Sequence, residues 1–231
     1  MKLTRREFAK LTALAGAGAV LPNSVIVRRA FGQVGQGVPL PGSAIPKFVD
    51  ELPNLHIVGG TPLTLSMTEF QSPVMPTGFV PATGTYGGTW VWGYRMAGQT
   101  ATSYIGPVIL AARGTPTAVT YVNNLGSTPT NIQAWDTSTD RTLHWADPLG
   151  EGMQMTNYSG PIPAVPHLHG GEVPPILDGG PDAWYTSDGL YSGHGYYSHG
   201  LNQGDPAPGN YAVYRYPNTQ EAANIWFHDH V

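Results

Sequence analysis

The sequence predicts an all-β domain, an antiparallel sandwich or barrel, and three observations carry that prediction. Glycine (30) and proline (22) make up nearly a quarter of the 231 residues, so turns and loops must be frequent. Outside the extreme N-terminus, no stretch of ten or more residues carries the 3.6-residue apolar period of an amphipathic helix. Several short runs instead alternate apolar with polar residues, or gather β-branched and aromatic ones. With 41% hydrophobic residues the chain has enough apolar surface for a packed core, which excludes global disorder.

The elements follow in order. Residues 1–32 read as an export signal of twin-arginine type. Thr4-Arg5-Arg6-Glu7-Phe8-Ala9-Lys10 precedes an Ala- and Gly-rich apolar stretch from Leu11 to Leu21, which is too short to span a bilayer. Ala9 stands where such signals more often carry leucine. The expected location is therefore the periplasm or the exterior, without a stable membrane anchor. Cleavage near Ala30 to Gly32 leaves five basic residues against 14 acidic ones, a net charge of −9. Such a surface repels phosphate backbones, so nucleic acid is excluded as a partner.

Residues 33–60 read as an extended arm, Gly- and Pro-rich as far as Leu52. The domain is expected over 61–231. Leu63, Leu65 and Met67 alternate with Thr64, Ser66 and Thr68, the period of a half-buried strand. Thr89 to Tyr94 holds Thr, Val, Trp and Tyr and reads as a second strand. Pro107–Ala112 and Ala118–Val122 are two more, separated by the turn signal Arg113-Gly114-Thr115-Pro116. Ile225-Trp226-Phe227 is the last apolar run, and Tyr185 to Asn210 reads as one long Gly-, Tyr- and Ser-rich loop.

The histidines carry the chemistry. The chain has no cysteine, which removes disulfides, thiolate zinc sites, thiol catalysis and copper–thiolate centres from these residues. Four of its eight histidines form two His-x-His pairs, His167-Leu168-His169 and His228-Asp229-His230. On an extended chain, residues i and i+2 share a face roughly 7 Å apart, so each pair offers two imidazoles to one side. The two can converge on one ion or serve neighbouring ions. An all-imidazole set leans towards copper or zinc. Gly170-Gly171 lets the backbone approach such a site, and Pro166 and Pro174-Pro175 stiffen its flanks. The rings of Trp226 and Phe227 are expected to wall the site and keep it dry. Asp178 and Asp229 are either turn-forming and solvated carboxylates or partners that orient the imidazoles. His56 and His144 are each isolated, and His144 reads as a packing residue. His194 and His199 read as surface residues, or as further copper or substrate contacts at the site entrance.

These residues resemble a known family. His167-Leu168-His169-Gly170-Gly171, Val173-Pro174-Pro175, Asp178-Gly179, Pro181-Asp182-Ala183-Trp184, Tyr216-Pro217-Asn218, Gln220 and Trp226-Phe227-His228-Asp229-His230 are similar to the N-terminal domain of multicopper oxidases. The branch they most resemble is that of the bacterial spore-coat laccases, related to bilirubin oxidase. The resemblance covers about residues 45–231. It implies a cupredoxin-like Greek-key β-sandwich, the first of three such domains, incomplete at its C-terminus because the chain stops one residue after His230. It further implies a trinuclear copper cluster, with His167 on the type 2 copper and His169, His228 and His230 on the type 3 pair. Asp178 matches the acidic residue that helps deliver protons in that branch. Dioxygen and a small reducing substrate are the implied partners, along with the missing C-terminal domains, which carry the other two histidine motifs and the blue copper. By itself the chain is expected to bind copper weakly and not to turn over.

Two other classes compete. A cupin metalloenzyme also presents His-x-His on a β-barrel, but its glutamate ligand follows the second histidine by four or five residues, whereas Glu172 follows His169 by three. A non-catalytic exported copper-binding protein is compatible with the lack of cysteine, although the six methionines are scattered rather than clustered. Copper nitrite reductases place a cysteine-containing blue site in their first domain, and none exists here.

Overall fold

The computed structural model describes residues 41–81, 83–97, 99, 103–127, 146–150, 158–197 and 209–231. The signal segment, residues 33–40 of the arm, His144 and His199 lie outside these residues. Ten strands occur among them: β1 (Ile57–Gly59), β2 (Leu63–Ser72), β3 (Thr89–Arg95), β4 (Val108–Leu110), β5 (Thr117–Asn123), β6 (Pro163–Ala164), β7 (Pro166–His169), β8 (Tyr185–Thr186), β9 (Tyr211–Tyr216) and β10 (Trp226–Asp229). Two 3₁₀ turns, Gly42–Ala44 and Pro175–Leu177, are the only helical pieces among the described residues. No helix there is long and apolar enough to cross a membrane.

The architecture is all-β, as the composition and the alternating runs predict. One sheet of four strands has the order β3-β2-β5-β9, and three two-stranded ladders join β1 with β4, β6 with β8, and β7 with β10. The expectation of a purely antiparallel arrangement is corrected. β2 pairs with β5 in parallel, Leu63 opposite Val119 and Leu65 opposite Tyr121, and β1 also runs parallel to β4. A parallel pair needs a long crossover. Here residues 73–116, including β3 and β4, supply it, so no helix is required.

Alternation along β2, β5 and β9 builds the core. Leu63, Leu65 and Met67 point to the same side as Val119 and Tyr121 and as Ala212, Tyr214 and Tyr216, and all are buried. Ile162, Ala164, Leu177 and Tyr185 close over this face, with Leu168 of β7 and Phe227 of β10 packed against its margin. The five tyrosines of this core need partners for their hydroxyls or must bear the desolvation. Tyr121 and Tyr216 meet hydroxyl to hydroxyl at 3.2 Å, and Tyr185 donates to the Tyr121 carbonyl at 2.9 Å. Burial raises the phenols of Tyr121, Tyr185, Tyr214 and Tyr216 above their ordinary range, so they stay neutral.

Two segments depart from the sequence reading. Ile57–Gly59, within the stretch read as an arm, is a strand against β4. Tyr185–Thr186, at the head of the stretch read as a loop, pairs with Pro163–Ala164 and is fully buried. Flanking glycines and serines mask that short strand, and a buried tyrosine is what holds it.

Asn123 fastens the sheet to the segments that follow. It is fully buried, and its Nδ2 donates to the carbonyls of Ile162 and Tyr185, each at 2.9 Å, while its Oδ1 accepts from Leu125 N at 3.2 Å. Orphaning a buried carbonyl costs about 1–3 kcal/mol. Asn123→Ala removes its donor from each carbonyl and the acceptor of Leu125 N, while Ser187 N still donates to the Ile162 carbonyl at 3.0 Å, and is expected to lower unfolding stability by about 1–3 kcal/mol in urea denaturation. A change within experimental error would contradict this role.

Candidate metal centre

The two His-x-His pairs lie on neighbouring strands. β7 and β10 run antiparallel, with His228 opposite His167 and Trp226 opposite His169. Side chains alternate across a strand, so Trp226 and His228 share one face with His167 and His169, while Leu168, Phe227 and Asp229 turn to the other. The inward residues settle this choice. Leu168 and Phe227 pack against the core, and Phe227 stacks edge-on against Tyr94 with centroids 5.0 Å apart. The histidine face therefore looks outward. An apolar cavity of about 790 Å³ runs behind the strand, lined by Trp92, Tyr94, Val119, Tyr121 and Phe227 and reaching His228.

One ring nitrogen from each of His167, His169 and His228 lies within 4.8 Å of the others, close enough to share an ion. His230 joins the cluster differently. Its ring stacks on His167 with centroids 4.6 Å apart and stands 5.6 Å from His228, but it does not belong to that three-nitrogen group.

Backbone carbonyls orient the rings. His167 Nδ1 donates to the Asp178 carbonyl at 2.5 Å, His228 Nδ1 to the Asp229 carbonyl at 2.6 Å, and His230 Nδ1 to the Gly179 carbonyl at 3.1 Å. A carbonyl oxygen can only accept, so each contact fixes the Nδ1–H tautomer and leaves Nε2 with its lone pair free. His169 is the exception: its Nδ1 faces His228 Nε2 at 3.2 Å. Two ring nitrogens at that distance need a proton or a cation between them. The donor set thus fits a metal that prefers neutral imidazole.

The Asp178-Gly179 turn serves both pairs, giving one carbonyl to His167 and the next to His230. Gly179 sits at φ +69°, and a β-carbon there would fall on the Pro166 carbonyl oxygen, far inside contact distance. The Asp178 carboxylate lies 3.6 Å from His167 Nδ1, with its side chain 44% exposed. Asp229 behaves otherwise. Its Oδ1 accepts from Val165 N at 2.8 Å, and burial of the carboxyl pushes it up to about 7 against the lowering effect of backbone N–H groups at Val165, His230 and Val231, although the residue as a whole is exposed.

Gly170, at φ +81°, ends β7, and Gly171 N closes that turn onto the Leu168 carbonyl at 3.0 Å. Gln220 then ties the loop to the approach to β10, accepting from Glu172 N at 2.9 Å and donating to the Gly170 carbonyl at 3.4 Å. The expected dry wall is half right. Phe227 is turned inward, but Trp226 stands on the histidine face and is 58% exposed. Glu172 is exposed, outside the three-nitrogen group, and so are His56 and His194. The part played by Gly179 had a weak signal in the Asp-Gly pair. That of Trp226 had one in its spacing two residues before His228.

A face of clustered imidazoles on paired strands, with no thiolate in the chain, makes a candidate histidine-based metal centre on an all-β frame. No protein-family model matches the sequence. It is similar to the multicopper oxidase LPR1 homolog 1 of Oryza sativa subsp. japonica, 31% identical over 195 residues that span 81% of this chain and 28% of that protein. It is also similar to a laccase of Bacillus subtilis (strain 168), 32% identical over 142 residues covering 62% of the chain and 21% of the laccase. Among solved structures, a laccase from Pediococcus acidilactici aligns over 80% of this chain and 27% of its own, with 19% identity and a TM-score of 0.41. The chain belongs to the multicopper oxidase family. It spans about a quarter of the length of the curated relatives it matches.

The turn at Gly179 yields a direct test. Gly179→Ala must move either the Pro166 carbonyl or the turn that orients His167 and His230. The expected result is a loss of about 1–3 kcal/mol in stability together with weaker metal uptake, read by thermal unfolding and metal titration. Wild-type behaviour in both would show that the turn is dispensable.

Proposed function

We propose that this chain contributes four imidazoles to the trinuclear copper cluster of a laccase-like multicopper oxidase, which oxidises phenolic or related substrates and reduces dioxygen to water. The observation that carries this reading is the meeting of two His-x-His pairs across one ladder, in a chain of that family. On this reading His167 binds the type 2 copper, and His169, His228 and His230 bind the type 3 pair. The position of His230 beside the three-nitrogen group, rather than within it, supports more than one ion. No cysteine occurs in these residues, so the blue copper belongs to other segments of the oxidase.

Bound copper supplies the redox capacity for dioxygen reduction; the chain supplies geometry and protons. The carbonyls of Asp178, Asp229 and Gly179 hold the Nδ1 protons of His167, His228 and His230 and keep each Nε2 turned forward. The Asp178 carboxylate, half open to water and close to His167, takes protons from solvent and passes them towards the histidine face. Residues 1–32 direct the protein to the periplasm or the exterior by the twin-arginine route.

Copper titration of the 231-residue chain tests the ligand set. His167→Ala is expected to weaken Cu(II) binding by about tenfold or more, whereas His194→Ala, at an exposed site away from the ladder, leaves it unchanged. Equal affinities in all three proteins would overturn the assignment. The copper-loaded chain alone is expected to show no laccase turnover, and measurable turnover would mean that the missing ligands are not needed. Arg5→Lys with Arg6→Lys is expected to retain a folded fusion partner in the cytoplasm, and continued export would exclude the twin-arginine reading.

A further inference from the structure

We infer that Trp226 is a positioning residue for the copper site: its indole, stacked on His169 and His228 together, holds His169 Nδ1 facing His228 Nε2. The inference rests on the copper reading above and adds a residue to it. Trp226 is opposite His169 across the ladder and two residues before His228 on its own strand. Its ring lies 4.6 Å from the His169 ring at 18° and 4.6 Å from the His228 ring at 30°, both stacked arrangements. The two imidazoles stand 5.4 Å apart at 44°, with their facing nitrogens 3.2 Å from each other.

Two features argue that this is more than surface packing. Trp226 is 58% exposed, whereas the neighbouring Phe227 is turned against the core. Within this chain the indole makes its ring contacts with the two imidazoles. Among the described residues, His169 is also the one histidine of the four whose Nδ1 meets no backbone carbonyl. The indole face takes over that task by limiting how the ring can turn. Coordination drains electron density from an imidazole and makes it more cation-like, so the π face of the indole favours the metal-bound form over the free one.

The test compares Trp226→Phe, which keeps a stacking face, with Trp226→Leu, which keeps apolar bulk without one, in the whole chain with Cu(II) as the probe. Trp226→Phe is expected to bind within about threefold of wild type, and Trp226→Leu about tenfold more weakly. At saturating copper, the electron paramagnetic resonance spectrum of Trp226→Leu is expected to change while that of Trp226→Phe does not. The spectrum is read on loaded protein, so it separates positioning from stability. Wild-type affinity and spectrum in Trp226→Leu, or equal losses in both variants, would overturn the role of the stacked face alone. Failure of the wild-type chain to bind copper would overturn the copper reading on which it stands.

Discussion

Backbone pairing between Pro166–His169 and Trp226–Asp229 brings together imidazoles 59 residues apart in the chain, and its register decides which way each one faces. A strand side chain has only two directions, into the core or out of it. Leu168 and Phe227 take the inward one because they are apolar and meet the buried tyrosines. Their neighbours at i±1 are then forced outward onto a shared face. A slip of one residue would bury imidazoles and expose Leu168 in β7 or Phe227 in β10, so the hydrophobic effect enforces the register of the metal site.

That ladder is short, and two-stranded ribbons are marginal by themselves. Its support comes from below and from the sides. The four-stranded sheet gives it a packed floor, and Asn123 fastens the end of β5 to Ile162, just before β6, and to Tyr185 of β8. Beside it, the Asp178-Gly179 turn presses against Pro166 and offers two carbonyls, while Gln220 bridges the loop after β7 to the segment before β10. Three rings are held by hydrogen bonds to backbone oxygen. The fourth is held by an indole face. Each device acts on ring orientation rather than on ring position, which the backbone has already set.

Much of this was legible in the sequence, for physical reasons that differ from residue to residue. β2 was plain because Leu63, Leu65 and Met67 alternate without interruption, and β5 because a turn signal marks its start. The metal site was legible because imidazole at i and i+2 has few structural uses that occur twice in one chain. β9 was not singled out, although Tyr211 to Tyr216 alternates, since its buried face consists of Ala212, Tyr214 and Tyr216 and tyrosine is an ambiguous core residue. Parallel pairing of β2 with β5 was hidden because it depends on a crossover, which no local pattern encodes. The task of Gly179 was half hidden: an Asp-Gly pair marks a turn, but only the folded chain reveals the Pro166 carbonyl packed where a β-carbon would go. Trp226 was read as a wall of the site, since spacing gives the face of a residue and not what its ring lies upon.

Anomalous diffraction at the copper edge, from crystals of the copper-loaded chain, tests the account most directly. Copper peaks over the outward face of the β7–β10 ladder, one about 2 Å from a ring nitrogen of His167 and a neighbouring pair within the same reach of His169, His228 and His230, are the result it predicts. A peak at an isolated histidine such as His56 or His194, with the histidine face of the ladder empty, would contradict it.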